Sequence, residues 1–269
     1  MKPRHILLYL ILMLGLLGFW KLFFLFGDLV QLTERRGDVF PQTGYDYLIL
    51  FVRDFMAIGI FCLVAARWGI LKTGGFSGSG IKNPWLLLIP LIFPGLIMLR
   101  VDKLSCLTPS FLSVCFISYK ILAGVLEEVM FRGVILGHLR THYPNRSLHF
   151  FCTVSALFFS AMHLINLTNS PLISVIPQLV YAFFMGLLFG VLLIRVRNVW
   201  LLGLVHGLLN ILTLDVCKAL AGTQEGTYSN SAGDIASSVL AFLIMSLPVF
   251  LTYYLLVVSY KGRLPVQKK

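Results

Sequence analysis

Ionisable side chains lie inside an apolar stretch of this sequence, in the run LEEVMFR that contains Glu127, Glu128 and Arg132. An ionised side chain at the centre of a bilayer is disfavoured by roughly 2.5–3.5 kcal/mol, so such residues must be paired or functional. On a helix, Glu128 and Arg132 are four residues apart and can form an ion pair, whereas Glu127 points about 100° away from Glu128. We therefore expect Glu128 to support the structure with Arg132, and Glu127 to face the interior as an available base. A single structural cluster of all three charges is the alternative.

Two further motifs place polar side chains four residues apart in apolar stretches. Phe159 and His163 share one helix face, and so do His206 and Asn210. His206 and Asn210 can both donate hydrogen bonds, and could therefore hold a developing oxyanion. Each motif also has a structural interpretation, as a hydrogen-bonded core histidine or as interhelical hydrogen bonding. Together with Glu127, the motifs supply a base, a second ligand for water and two oxyanion donors, which hydrolysis of a peptide by activated water requires.

The composition indicates a membrane protein. Hydrophobic residues make up 58% of the 269 positions and charged residues only 12%, whereas soluble domains average about 45–50% apolar and 25% charged residues. The formal charge of +11 does not indicate nucleic-acid binding, because the basic residues are scattered between apolar runs and form no clustered patch. We expect one integral membrane domain over residues 1–269, with its motif-bearing core at about 109–214, and no nucleic-acid partner.

The apolar runs predict an all-α fold, because about 20 apolar residues cross a bilayer as a helix. The candidate spans are 6–26, 47–71, 84–99, 109–139, 148–167, 172–194, 199–214 and 235–260. We expect a polytopic transmembrane bundle of about eight helices with an intramembrane catalytic cavity. Counted along the helices from their cytoplasmic ends, Glu127 and His206 should meet in the inner half of the membrane.

The loop charges predict the orientation. With the N-terminus inside, the inner segments hold thirteen basic residues and no acidic one. Most acidic residues fall in the outer loops, together with Arg35, Arg36, Arg100, Lys103 and Lys218. Because basic residues accumulate in cytoplasmic loops, both termini should be cytoplasmic.

The sequence contains five cysteines, which are Cys62, Cys106, Cys115, Cys152 and Cys217. None belongs to a CxxC pair, and most lie inside apolar runs. We interpret them as small buried hydrophobic residues.

Read in order, the three motifs resemble the CAAX prenyl protease 2 and bacteriocin-processing family (CPBP, or Abi) of intramembrane glutamic endopeptidases. The family pattern is EExxxR, then FxxxH, then HxxxN or HxxxB. It matches here at Glu127, Glu128 and Arg132, at Phe159 and His163, and at His206 and Asn210. The resemblance covers residues 109–214 and no motif outside them.

The resemblance implies a helical bundle with an intramembrane catalytic cavity and no cofactor. It assigns Glu127 as the general base, His163 as its partner, and His206 with Asn210 as the oxyanion hole. Glu128, Arg132 and Phe159 would support the site. The implied substrate is a peptide delivered at the membrane, either CaaX-like or a small peptide or propeptide. The short loops favour a bacterial member of the family in the cytoplasmic membrane.

Two other functions compete with this interpretation. Glu127, His163 and His206 could instead be ligands of a catalytic zinc, which accepts one Glu and two His, although the HExxH motif is absent. Alternatively, the chain could be a non-enzymatic scaffold, a bacteriocin immunity protein or a transporter that uses its buried charges for packing or proton relay. A transporter would be expected to break its helices at matching points of two repeats, and the sequence shows no repeat.

Overall fold

The computed structural model describes residues 1–29, 43–77, 80–92, 104–168, 170–213, 216–221 and 232–260. All regular structure in these residues is helical. The predicted all-α, polytopic membrane fold is therefore confirmed, while its division into a single domain stays a prediction.

The α-helices of the described residues are numbered in chain order. They are α1 Pro3–Leu29, α2 Gly44–Arg67, α3 Phe111–Glu128, α4 Gly137–His142, α5 Leu148–Met162, α6 Leu172–Val196, α7 Val199–Leu212, α8 Val216–Ala221 and α9 Ala232–Val258. A π-helical segment, Val129–Leu136, joins α3 to α4 without a break. Short 3-10 helices cover Pro84–Leu87 and His163–Thr168.

Polar side chains at the N-caps fix where several of these helices begin. Thr43 caps α2 and Ser110 caps α3, and each side chain accepts a hydrogen bond from a backbone N–H in the first turn. Ser147 and Asn198 do the same for α5 and α7. An N-cap side chain satisfies one of the N–H groups that a helix start leaves without an intrahelical partner.

Five helices are long and apolar enough to cross a membrane, judged by length and composition. They cover Pro3–Phe23, Gly44–Arg67, Leu148–Thr168, Leu172–Val196 and Ala236–Val258. Helix α7 is apolar but shorter, and α3 carries the charged residues Lys120, Glu127 and Glu128. The predicted span 84–99 begins with the 3-10 helix, and its residues beyond 92 lie outside the described part of the chain.

Helix α6 is the most enclosed of the five spans, with 67% of its most apolar window buried against 17% for α1. Helices α3 and α7 pack closely through glycines. A Cβ added at Gly124 would meet the backbone of Gly207, and one at Gly203 would meet the backbone of Val125. Small residues of this kind allow transmembrane helices to approach backbone to backbone.

One end of the bundle, here named the disulfide end, is crossed by a covalent link. Cys106, before α3, and Cys217, in α8, form a disulfide with their Cα atoms 5.2 Å apart. The interpretation of all five cysteines as buried single side chains is therefore wrong for these two. They lie outside the apolar runs, so the argument from burial does not apply to them. Cys62, Cys115 and Cys152 are free thiols.

The opposite end, here named the basic end, is closed by a buried loop. Residues 73–76 of the segment between α2 and the first 3-10 helix are buried. A Cβ at Gly74 would meet the carbonyl oxygen of Gly133, and Phe76 covers Gly133 from the side. Arg140 donates a 2.7 Å hydrogen bond to the carbonyl of Thr73, and the Trp200 indole donates a 3.0 Å hydrogen bond to the carbonyl of Phe76. The loop therefore packs against the helix of α3 and α4 on one side and against α7 on the other, and closes this end of the bundle.

Candidate active site

The two glutamates at the end of α3 point into different surroundings. The side chain of Glu128 is completely buried, whereas that of Glu127 is 35% exposed and lines a cavity inside the bundle. Neighbouring residues on a helix point about 100° apart, which accounts for the separation. Glu127 is thus the carboxylate that a molecule in the cavity can reach.

Arg132 compensates the buried charge of Glu128. Its Nη1 lies 3.0 Å from Oε1 of Glu128, and both side chains are fully buried. The pair does not have hydrogen-bond geometry, so its contribution is electrostatic. The guanidinium also lies 4.3 Å from the ring centroid of Phe159, a distance at which a cation is attracted to an aromatic face.

The π-helical segment begins directly after Glu128 and contains Arg132. Single π turns inside α-helices occur frequently at functional sites, and they change the regular hydrogen-bond ladder. Here the hydroxyl of Ser155 donates a 2.9 Å hydrogen bond to the carbonyl of Phe131. A side chain of α5 thereby ties α5 to the π-helical segment beside the site.

His206 of α7 contacts both glutamates. Its Nδ1 lies 2.8 Å from Oε1 of Glu128, and its Nε2 lies 3.4 Å from Oε2 of Glu127. The close glycine packing of α7 on α3 at Gly203 and Gly207 makes this approach possible. The ring therefore bridges the buried carboxylate and the carboxylate in the cavity.

His163 lies at the C-terminal end of α5 and lines the same cavity as Glu127. Its Nδ1 is 3.0 Å from the carbonyl oxygen of Phe159. A carbonyl only accepts hydrogen bonds, so Nδ1 carries the proton, and Nε2 of the neutral ring has the lone pair. The Phe159 ring packs edge-to-face on His163, with centroids 4.9 Å apart. Phe159 therefore fixes both the tautomer and the orientation of His163.

Asn210 lies one helical turn beyond His206, towards the disulfide end of α7. Its side chain is partly buried. The described residues that line the cavity include neither Asn210 nor His206. The structure thus brings Glu127 and His163 to one cavity. His206 contacts Glu127 without lining this cavity. Asn210 lies one helical turn beyond His206.

The cavity provides about 90 Å³ of space, whereas a single water needs roughly 10–15 Å³ by the same measure. Several waters can therefore occupy it. Its wall combines apolar side chains with six side chains that can donate or accept hydrogen bonds, which are Trp20, Arg53, Asp54, Tyr119, Glu127 and His163.

Sequence reasoning missed the contribution of α2 to this wall. Arg53 and Asp54 are buried, with the Arg53 Nη2 and the Asp54 Oδ1 2.8 Å apart. The Arg53 guanidinium lies 4.4 Å from the Trp20 ring centroid, and Tyr119 lines the same wall. The signal was present, because an Arg-Asp pair inside an apolar run is as unexpected as the Glu pair of α3.

The described side chains of the site do not form a metal-binding group. Within the described ranges, no group of three or more His, Cys, Asp and Glu side chains is arranged to hold a metal ion. Both ring nitrogens of His206 already face carboxylates, and Nδ1 of His163 faces a carbonyl. The arrangement therefore does not fit the zinc site considered above, and we derive no step through a metal.

Comparison with known proteins identifies one family. The model of the Rce1-like type II CAAX prenyl endopeptidases matches residues 109–212. No curated protein and no solved structure matches the chain. The matched segment begins just before α3 and ends with α7, and it contains Glu127, Glu128, Arg132, Phe159, His163, His206 and Asn210. It supports a multi-pass membrane protein with an intramembrane peptidase activity in general. Residues 109–212, which carry the candidate site and make up less than half of the chain, are thus similar to the Rce1-like type II CAAX prenyl endopeptidases.

Proposed function

We propose that the protein hydrolyses peptide bonds at the membrane with water activated by Glu127. One observation carries the proposal: a partly exposed carboxylate and the imidazole of His163 share a water-sized cavity inside an otherwise apolar bundle. A carboxylate within hydrogen-bond reach of a bound water can act as its general base. Glu127 would take the proton of the water and later return it to the leaving amine.

His163 supports this chemistry from the other side of the cavity. Because its Nδ1 proton is directed to the carbonyl of Phe159, Nε2 can accept a hydrogen bond from the same water. A water that donates one O–H to each of two acceptors keeps both of its lone pairs free, and one of them can attack a substrate carbonyl. His163 is accordingly a water-positioning group, and Glu127 the proton acceptor.

Charge balance supports an imidazolium at His206. Glu127 and Glu128 carry two negative charges, and Arg132 carries one positive charge. A proton on both nitrogens of His206 neutralises the cluster and gives each carboxylate a hydrogen-bond donor. In the neutral ring, the bond from Nδ1 to Glu128 would leave Nε2 without a proton. The imidazolium form can instead donate from Nε2 to a developing oxyanion, and Asn210 would supply the second donor once a substrate is bound.

The proposed substrate is a peptide segment that reaches the cavity at the bilayer, and no cofactor takes part. The bound species can be found by comparing the membrane peptides of cells that carry wild-type protein with those of cells that carry Glu127→Gln. We expect at least one peptide to accumulate uncut in the variant. Glu127→Gln keeps the size of the side chain but removes the base.

The matched control is Asp54→Asn, which changes a carboxylate of the same cavity that has no assigned proton-transfer role. A Glu127→Gln protein that is inserted and folded yet cleaves at the wild-type rate would contradict the proposal. Such a result, together with a biological effect of the protein that survives the substitution, would support the scaffold or immunity alternative instead.

A further inference from the structure

The lining of the catalytic cavity reaches well towards the disulfide end of the bundle. On α5, His163 is fifteen residues from Leu148 at the basic end, and on α1, Trp20 is seventeen residues from Pro3, which also lies at the basic end. At about 1.5 Å per residue, these positions are about 22 and 25 Å from that end. These two wall residues therefore lie in the half of the bundle nearer the disulfide.

Lining residues of α2 and α3 also lie towards the disulfide end. Gly44, at the start of α2, packs on Phe111, at the start of α3, so both helices have these ends on the disulfide side. Arg53 is nine residues from Gly44, or about 14 Å, and Tyr119 is eight residues from Phe111, or about 12 Å. Glu127 is sixteen residues from Phe111, or about 24 Å. Polar groups thus continue from Glu127 towards the disulfide end and give a peptide backbone hydrogen-bonding partners along that side.

The expectation that the site lies in the inner half of the membrane depends on where the helix of Glu127 ends. The helix that carries Glu127 continues through the π-helical segment to His142, further than the sequence predicted. Glu127 is therefore near the middle of a long helix, and the cavity wall extends from it in both directions, to Met130 and Phe131 on one side and to Tyr119 on the disulfide side.

Within the described part of the chain, the basic end is instead closed by packed backbone and side chains. The loop that contains Thr73, Gly74 and Phe76 is buried against the helix of Glu127 and against α7. On the other side of that helix, the rings of His5, His138 and His142 pack together with centroid distances of 3.9–5.3 Å. A peptide coming from this end would have to displace packed backbone before it reached Glu127.

Two independent observations identify the compartments. The described residues at the basic end include nine Lys and Arg side chains and no acidic one, which are Lys2, Arg4, Arg67, Lys72, Lys82, Arg140, Arg146, Arg195 and Arg197. Such an excess marks the cytoplasmic side of a membrane protein. Disulfides form and persist in oxidising compartments and are rare in the cytosol, and Cys106–Cys217 lies at the opposite end.

We propose that the cavity receives its substrate from the non-cytoplasmic side of the membrane. The substrate class is then a peptide segment exposed outside the cytoplasm, such as the membrane-proximal part of an exported polypeptide. A lipid-modified cytoplasmic tail would instead meet the closed basic end. This inference rests on the proposed function for the chemistry at Glu127, but its geometry stands without it.

The test is side-specific labelling of a cysteine in the cavity. The free thiols are first removed by Cys62→Ala, Cys115→Ala and Cys152→Ala, with the disulfide kept, and Ala123→Cys is added as the reporter because Ala123 lines the cavity. Spheroplasts and inside-out membrane vesicles are treated with a membrane-impermeant trimethylammonium methanethiosulfonate, and the remaining thiol is counted with a maleimide. We expect Ala123→Cys to be labelled in spheroplasts and unlabelled in inside-out vesicles.

Matched variants calibrate each side. Lys72→Cys, exposed at the basic end, should be labelled only in inside-out vesicles, and Tyr45→Cys, exposed at the disulfide end, only in spheroplasts. The native Cys106 and Cys217 should react with maleimide only after reduction. Labelling of Ala123→Cys only in inside-out vesicles, in both preparations or in neither would overturn the proposal. So would free thiols at Cys106 and Cys217 in the isolated membranes.

Labelling needs no catalysis, so this test and the test of the proposed function fail separately. Glu127→Gln in the same background should show the same sided labelling as its parent. If Glu127→Gln retained full cleavage while labelling stayed on the non-cytoplasmic side, the proposed function would fail and the position of the cavity would stand.

Discussion

Nδ1 of His206 lies 2.8 Å from Oε1 of Glu128, on the side of the imidazole away from Glu127. This contact fixes the ring and directs Nε2 towards the cavity carboxylate, 3.4 Å away. In a carboxylate–imidazole pair, the carboxylate orients the ring by accepting a hydrogen bond from one of its nitrogens.

Glu127→Gln should remove activity and leave the fold intact. Loss of a general base lowers a rate by typically about 10²–10⁴-fold. Because the Glu127 side chain is one-third exposed, its neutralisation should change the melting temperature little. Cleavage rate and melting temperature in detergent micelles measure the two effects. Unfolding of the variant at the assay temperature would mean that Glu127 is a structural charge.

Glu128→Gln, in contrast, should mainly lower the stability of the fold. It leaves Arg132 as a buried charge without its partner, and breaking a buried pair in this way typically destabilises a protein by about 3–5 kcal/mol. Denaturant unfolding of the two glutamine variants side by side gives the comparison. An equal loss of stability in both would show that the carboxylates form one structural cluster.

Gly207→Ala should weaken both stability and activity. A Cβ at Gly207 would collide with the backbone of Ile121, so α7 must move away from α3 and carry His206 with it. Overpacking of this kind typically destabilises by about 1–3 kcal/mol.

The control for Gly207→Ala is Gly59→Ala in α2, where an added Cβ meets nothing within 4 Å. Replacing glycine at an unstrained helical position usually stabilises by about 0.4–1 kcal/mol. Activity of Gly59→Ala should therefore equal that of the wild type. Equal activity of Gly207→Ala and Gly59→Ala would show that the α3–α7 distance does not control the site.

Removal of the disulfide should lower stability without touching the catalytic groups. The bond joins residues that are 111 positions apart, and loss of a native disulfide typically destabilises by about 2–5 kcal/mol. The double variant Cys106→Ser with Cys217→Ser should melt at a lower temperature than the oxidised wild type. Dithiothreitol should lower the wild type to the same temperature and leave the double variant unchanged. A melting temperature of the wild type that does not change with dithiothreitol would contradict this prediction.

Chelators should leave the cleavage rate unchanged. Both ring nitrogens of His206 face carboxylates, so neither is free to bind a zinc ion that a chelator could remove. The measurement is activity of the purified protein before and after treatment, with elemental analysis of the same sample. Stoichiometric zinc, loss of activity on its removal and recovery on its return would favour the zinc-dependent alternative.

The sequence predicted the membrane fold and the separation of the two glutamates, since both follow from local periodicity. Residues four apart on a helix share a face whatever surrounds them, and so Glu128 and Arg132 were paired correctly. The assigned roles of Glu127, His163, His206 and Asn210 stay predictions. Periodicity does not report which helices become neighbours, so the bridge from His206 to both glutamates was not foreseen.

The disulfide and the π-helical segment were missed for related reasons. Cys106 and Cys217 are distant in sequence, and only the packing of α8 beside the start of α3 brings them together. The π-helical segment contains no proline and only one glycine, so its composition looks like that of an ordinary helix. Its register depends on partners such as Ser155, which belong to another helix.

The buried loop at the basic end also bears on turnover. Because Thr73, Gly74 and Phe76 are packed under the helix of Glu127, neither fragment of a cut peptide can depart through that end. With the substrate entry proposed above, both fragments would dissociate on the side from which the intact peptide arrived. Product release then competes directly with binding of the next molecule, and a short peptide product should act as a competitive inhibitor.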